Sequence, residues 1–333
     1  MRVKQNSDGS FPNIKRPGQP EKKPLIILSG PTAVGKTGIS VEFALREDLE
    51  IISADSAQVY RGMDIGTAKI TPEEMKGVPH YLIDVCDPSE DYSAFRFKAM
   101  ATDAIEEIRC HGKIPMVVGG TGFYIQALFR DINFDDEGPD AEYRKELESI
   151  ADSKGALFLY DMLKIVDPES CRIIKPENVQ RVIRALEYHH LTGGKISEHN
   201  AKMALKKSAY NEAYFVLTDD RDLMYERIDK RVDEMVGAGL EQEVRSLLDK
   251  GYNEENVSMQ AIGYKEMIPY IRGEITLDEA VYQIKLRTRH FAKRQLTWYR
   301  REKNVIYIDK QIYRTGEEIL DFMSSEIRKR GIK

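Results

Sequence analysis

One short stretch constrains this chain more than any other. Leu25-Ile26-Ile27-Leu28-Ser29 is a continuous apolar run, and Gly30-Pro31-Thr32-Ala33-Val34-Gly35-Lys36-Thr37 follows it directly. An apolar run without polar alternation suits a strand buried on both faces of a parallel sheet. Glycine, four residues, glycine, lysine, threonine is the spacing of a phosphate cradle, the P-loop, set between a strand and a helix. Its glycines let backbone N–H groups reach phosphate oxygens, and the helix N-terminus adds positive potential. Gly30, Thr32, Ala33, Val34 and Gly35 are therefore expected to wrap a pyrophosphate or polyphosphate. Lys36 is expected to neutralise it, and the Thr37 hydroxyl to hold Mg²⁺. Such a loop names a class of ligand, not a reaction.

The pattern downstream sets the fold class. Residues 38–45 read as a helix, 50–54 as a second strand ending at Asp55, and 81–85 as a third strand. Residues 94–109 read as a helix and 115–118 as a fourth strand ending in Gly119-Gly120-Thr121-Gly122. Strands alternating with helices predict an α/β fold: a P-loop NTPase-like parallel sheet flanked by helices. Such sheets collect ligands beyond the carboxyl ends of their strands, so the P-loop, Asp55 and Thr121 are expected to share one crevice. From about residue 136 to 210 the pattern turns helical (142–153, 156–165, 178–192), which reads as a helical insertion subdomain. A strand at 213–217 returns to the core. A helical C-terminal region follows (221–238, 241–250, 261–271, 277–301), then a strand at 305–308 and a last helix from Gly316. The core is thus expected over 24–135 and 211–333. Residues 1–23, polar and interrupted by Pro12, Pro17 and Pro20, read as a disordered arm.

Within this frame several residues can carry chemistry. A carboxylate at a strand's carboxyl end, facing the phosphates, can accept a proton from a nucleophile. Asp55 fits that description, as it fits a helix N-cap or a carboxylate organising water around magnesium. Arg227 and Arg231 lie four apart on one helix face, which suits a solvated face and equally a reach by one of them, with Arg231 preferred, to the bound phosphates. From Lys285 to Lys303 there are eight lysines and arginines against one acid, Glu302, interleaved with Phe291, Trp298 and Tyr299. That composition suits RNA phosphate contacts, with Arg294 and Arg301 the clearest candidates, and equally suits an amphipathic helix whose aromatics are core.

Taken together, these stretches resemble the tRNA dimethylallyltransferase (tRNA isopentenyltransferase) family, bacterial type. The resemblance is carried by the P-loop, by residues 55–69, by Gly119-Gly120-Thr121-Gly122-Phe123-Tyr124, and by residues 180–187 and 227–244. Gln260-Ala261-Ile262-Gly263-Tyr264-Lys265-Glu266 and Lys293-Arg294-Gln295-Leu296-Thr297-Trp298-Tyr299-Arg300-Arg301 complete it. It implies transfer of a dimethylallyl group from dimethylallyl pyrophosphate to N6 of the adenine just 3′ of the anticodon. It further implies Asp55 as the base and Thr121 beside the reacting centre. Asp55, Ser56, Ala57, Gln58, Thr121, Arg144, Gln180, Arg181 and Arg184 are implied as contacts to the anticodon stem-loop of tRNA. The zinc finger of eukaryotic relatives is not expected, because no cysteine follows Cys171.

Composition narrows the classes further. The 41% apolar and 32% charged residues are ordinary for a globular protein. No apolar run approaches the roughly 20 residues of a membrane span, so no membrane partner is expected. Cys86, Cys110 and Cys171 are odd in number and widely spaced, which fits reduced thiols in a cytoplasmic protein. The net charge of -5 argues against a globally basic nucleic-acid binder but not against a local basic patch. A monomer is expected. Two other readings remain open at this level: a small-molecule kinase with ATP in the P-loop, and a non-catalytic RNA-binding NTPase.

Overall fold

The structure, a computed structural model, describes residues 22–132 and 140–333. Nearly all of the arm expected over 1–23, and the first residues of the expected insertion (136–139), lie outside the described residues. The core elements begin with β1 (Lys23–Ser29), α1 (Lys36–Glu47), β2 (Leu49–Ser53), α2 (Pro72–Met75), β3 (His80–Tyr81), α3 (Ala94–Cys110), β4 (Ile114–Gly119) and α4 (Gly122–Phe129). Four helices then leave the sheet: α5 (Ala141–Lys154), α6 (Ala156–Val166), α7 (Val179–Thr192) and α8 (Ile196–Leu205). The chain returns through β5 (Tyr210–Thr218) to α9 (Arg221–Gly237), α10 (Leu240–Asp249), α11 (Tyr264–Ile271), α12 (Leu277–Tyr299), β6 (Ile306–Asp309) and α13 (Gly316–Lys329).

The described strands form one sheet in the order β3-β2-β4-β1-β5-β6, every pair parallel. The apolar run of β1 explains its central place. Leu25 and Ile27 point into one core layer with α3, α4, α10, α11 and α12, while Ile26 and Leu28 point into the other with α1 and α13. Each such side chain, fully buried, contributes about 1.5–3 kcal/mol. Helices α5, α6 and α7 do not share either layer. They close over a separate apolar cluster that includes Leu147, Leu159, Leu163, Val182 and Leu186.

Three expectations need correction. The strand expected over 81–85 is only His80–Tyr81, because Leu82 (φ 63°) and Asp84 (φ 55°) take left-handed backbone and end the ladder. Lys69 then pairs with Asp84 at that turn. The helix expected over 261–271 starts at Tyr264, because Gly263 (φ 101°) cannot continue a helix backwards. Helices α2, α4 and α8 were not anticipated: α4 is a short run buried on most of its surface, and α8 buries no residue and so shows no clear apolar face.

Candidate active site

The P-loop is shaped by its neighbours on the sheet. Gly30 has φ 150°, and a side-chain carbon there would lie 2.6 Å from the Leu217 carbonyl oxygen of β5. Only glycine lets the loop leave β1 so close to the next strand. Ala33 is held in the left-handed region (φ 61°), which costs a non-glycine residue about 1 kcal/mol or more. Arg227 stabilises this turn: its Nε donates to the Ala33 carbonyl at 2.9 Å, and its Nη2 reaches Asp219 Oδ2 at 2.6 Å. Lys310 approaches from the next strand end, donating to the Val34 carbonyl at 3.3 Å. Arg227 is thus a brace behind the loop. Arg231, one turn further along α9, is the arginine that faces the crevice.

Charge in the crevice is concentrated and little neutralised. Lys36 Nζ donates to the Gly30 and Pro31 carbonyls at 2.9 and 2.8 Å, with no carboxylate among the described residues in ion-pair contact. Burial pushes its ammonium down to about 8; Asp55 raises it and the Arg231 guanidinium lowers it further. Burial also lowers Arg231, against the pull of Asp55. These two cations stand without an ion-pair partner among the described residues, so their charge is available to an anionic ligand. Thr37 opens α1, solvent-exposed, and its hydroxyl makes no hydrogen bond among the described residues.

Asp55 follows β2 and does two things at once. Its Oδ1 accepts from the N–H groups of Ala57 (2.9 Å) and Gln58 (3.2 Å), which locks the loop and fixes the carboxylate plane. Its Oδ2 has no hydrogen-bond partner among the described residues. Gln58 donates to the Thr67 and Ala68 carbonyls (3.2 and 3.1 Å), so its amide nitrogen shapes the 61–69 loop. Glu243 closes the far side of that loop, accepting from the N–H groups of Asp64, Ile65 and Gly66. Ser56 is exposed and Ala57 half-buried on the Asp55 turn. Thr121 caps α4 after β4 with its side chain making no capping hydrogen bond, so its hydroxyl remains available. A side-chain carbon at Gly119 would collide with the Ala54 backbone, which is how β4 and β2 bring Thr121 and Asp55 together.

Gln295 carries no role in its local sequence, and Tyr299 was expected either in the RNA-facing set or in the core. Gln295, 6% exposed, accepts from the Thr32 N–H at 2.8 Å and donates to the Gly120 carbonyl at 2.9 Å. Tyr299, one turn on, accepts from the Ser29 hydroxyl at 2.7 Å and donates to Gly120 at 3.1 Å. Their four-residue spacing on α12 was the available signal. The Thr32 N–H is therefore committed to Gln295, and among the described residues the cradle's unpaired N–H groups begin at Ala33.

A second feature opens beside the crevice. A cleft of about 1040 Å³ lies between the sheet domain and the outlying helices, lined by Phe123, Arg130, Ile173, Arg181, Arg184 and Trp298 among others. Trp298 packs against Gly122 and Phe123, so this cleft reaches to within two residues of Thr121. Of the residues expected to contact tRNA, Arg181 and Arg184 line it. Arg144 does not stand free: with Arg184 it grips Glu187, whose side chain is 0% exposed. Gln180 is exposed and reaches Glu148 at 3.4 Å. Along α12 the cations divide. Lys285 pairs with Asp233, Arg287 with Glu266 and Arg289 with Asp229, whereas Arg294 and Arg301 are exposed and form no ion pair among the described residues. Of the aromatics, Tyr299 is core and Trp298 lies at the cleft wall.

Comparison with known proteins agrees with this geometry. The family model for IPP transferase matches residues 58–302, and that for isopentenyl transferase matches residues 24–88. A tRNA dimethylallyltransferase of Lachnoclostridium phytofermentans is 54% identical over 301 residues, 90% of this chain and 96% of that one. The crystal structure of the full-length tRNA isopentenylpyrophosphate transferase of Bacillus halodurans is 46% identical, with a TM-score of 0.70, covering 93% of this chain and 98% of that chain. A eukaryotic dimethylallyltransferase captured acting on tRNA is 31% identical, with a TM-score of 0.72, covering 86% of this chain and 74% of that one. With the P-loop, Asp55 and Thr121 at adjacent strand ends and these matches along most of its length, the chain belongs to the IPP transferase family of tRNA dimethylallyltransferases.

Proposed function

We propose that this chain transfers a dimethylallyl group from dimethylallyl pyrophosphate to N6 of the adenine just 3′ of a tRNA anticodon. The observation that carries the reading is a pair of cations, Lys36 and Arg231, that have no ion-pair partner among the described residues and share a crevice with Asp55. An allylic pyrophosphate reacts by releasing pyrophosphate, so the barrier falls as negative charge on the leaving group is stabilised. The N–H groups from Ala33 to Thr37, with Lys36 and Arg231, supply that stabilisation. The N6 lone pair attacks the allylic carbon as the carbon–oxygen bond breaks, and the bonding pair leaves on pyrophosphate. Asp55 Oδ2 takes the N6 proton, while Oδ1 stays tied to the Ala57 and Gln58 N–H groups and keeps the carboxylate aimed. Thr121 offers its hydroxyl to the pyrophosphate or to the incoming base.

Magnesium fits the Thr37 hydroxyl, a hard oxygen donor at the mouth of the cradle, and when bound would neutralise charge on the leaving group. We assign residues 24–135 and 211–333 to the catalytic core and 136–210 to an insertion that grips the anticodon stem-loop. Arg181 in the cleft, Arg294 on α12 and Arg301 just past its end then meet phosphates, while Arg184, tied to Glu187, holds the cleft wall. The adenine must leave its stack to reach N6 to Asp55, and the cleft leads it past Trp298 and Phe123 to Thr121.

Incubation with tRNA, dimethylallyl pyrophosphate and Mg²⁺, followed by mass spectrometry of the nucleosides, tests the reading. N6-isopentenyladenosine is expected. Its absence, with ATP consumed in the presence of a small-molecule acceptor, would return the chain to the kinase reading.

A further inference from the structure

Gln295 sits where two parts of the site meet. It is buried, it belongs to neither strand end, and both ends of its amide are used: Oε1 on the Thr32 N–H at 2.8 Å, Nε2 on the Gly120 carbonyl at 2.9 Å. Thr32 belongs to the cradle; Gly120 immediately precedes Thr121. A side-chain carbon on Gly120 would strike the Gln295 amide, so contact between the β4 turn and α12 leaves no slack. The Gly120 carbonyl also accepts from Tyr299, which is anchored in turn to Ser29. Gln295 is therefore the one side chain among the described residues that hydrogen-bonds both the P-loop and the Thr121 turn directly from outside the sheet.

We propose that Gln295 is a positioning residue for the prenyl transfer, setting the separation between the pyrophosphate cradle and the Asp55–Thr121 edge. This rests on the function proposed above. Displacement of the attacking nitrogen from the allylic carbon by about 1 Å can cost about 10²-fold in rate. One amide spanning both walls holds that distance. It also consumes the Thr32 N–H, so that the cradle's remaining N–H groups converge on one anion position rather than two.

The chemistry of the amide supplies a sharp test. A protonated glutamic acid has the shape of glutamine, with a carbonyl to accept from Thr32 and an O–H to donate to Gly120. The carboxylate has no donor and sets two oxygens against each other at Gly120. Opposite that carbonyl, and buried, the acid is held in its neutral form to higher pH.

The experiment compares wild type, Gln295→Leu and Gln295→Glu by single-turnover prenylation at saturating tRNA and donor, by affinity for inorganic pyrophosphate with Mg²⁺, and by melting temperature. Gln295→Leu is expected to lose at least about tenfold in single-turnover rate and in pyrophosphate affinity, with tRNA affinity kept within about threefold. The rate of Gln295→Glu relative to wild type is expected to rise several-fold from about pH 8 to about pH 6, as the acid regains its proton. A Leu variant that melts lower but turns over and binds pyrophosphate as wild type does would overturn the proposal. So would a Glu variant whose relative rate is flat with pH. If wild type itself makes no prenylated adenosine, the function reading falls, and pyrophosphate affinity alone then decides for or against Gln295.

Discussion

The crevice and the outlying helices both carry arginines, yet they use them in opposite ways. In the crevice Lys36 and Arg231 are crowded by protein, both are pushed towards their neutral forms by burial, and neither is ion-paired among the described residues. In the helices α5 and α7, Arg144 and Arg184 close on the buried Glu187, which also accepts from the Asp140 N–H at 3.0 Å. The first arrangement stores unfavourable charge that an anion relieves. The second spends its charge holding two helices together. The same residue type is thus a ligand group in one place and a fastener in the other, and the difference lies in whether a carboxylate closes to ion-pair contact.

The largest effect expected from breaking this contrast is at Asp55. Asp55→Asn keeps a carbonyl for the Ala57 and Gln58 N–H groups and removes only the base. Turnover is expected to fall about 10²–10⁴-fold with little change in melting temperature, measured by nucleoside mass spectrometry and thermal denaturation. Near-normal turnover would remove Asp55 as the base and leave it as a turn cap.

Next in size is Glu187. Replacing it by alanine is expected to cost about 2–3 kcal/mol, since two charge-assisted hydrogen-bond partners lose their acceptor while remaining partly solvated. Urea denaturation would read this. Its two arginines and hydrogen bonds hold the carboxyl below the usual 4.5, although burial opposes them. A depressed carboxylate stabilises fully above its unfolded value and loses that contribution as pH falls through the lowered folded value. Wild type is therefore expected to lose stability below about pH 4.5 more steeply than Glu187→Ala. Parallel acid profiles would show that the pair fastens nothing.

Lys36 sharpens the other side of the comparison. With its ammonium held near 8, the free protein releases a proton as pH passes that value, and an arriving pyrophosphate draws it back. The sign for folding follows too: the depressed value penalises the folded state below about 8, and the penalty lifts as pH rises from there towards 10.5. Calorimetry in two buffers of different ionisation enthalpy at about pH 8.5 should show net proton uptake on pyrophosphate binding. Zero uptake would mean that the crevice holds its charge without strain.

Smallest is the exposed end of α12. Arg294→Ala or Arg301→Ala should each weaken tRNA binding only a few-fold and reduce the salt slope by about one, because each removes one phosphate contact. Arg289→Ala, whose charge is already committed to Asp229, should leave the slope unchanged. Equal slopes for all three would make the whole helix a packing element.

Much of the architecture was legible beforehand. The apolar run of β1 next to the glycine-rich loop implied a buried parallel strand and a phosphate site. Asp55 and Thr121 could be expected together because parallel sheets gather their carboxyl ends on one edge. The strand over 81–85 was misjudged because nothing in an apolar run announces two left-handed residues, at Leu82 and Asp84. Arg231 was preferred over Arg227 in sequence, but one turn apart on the same face the two carry no local signal of what each would meet. Only folding brings the Ala33 carbonyl and Asp219 to one and leaves the other open.

What the sequence determined by itself was the kind of ligand and the order of the strands' chemistry, since both depend on local spacing: 3.6 residues per helical turn, and a cradle of fixed length. What the tertiary structure decided was which charges remain unpaired and what holds the two walls of the crevice apart. Glu187 meets Arg144 across 43 positions, and Gln295 meets Thr32 across 263. No local pattern encodes such pairings, because they arise where packed helices and strand ends happen to bring distant side chains within hydrogen-bond reach.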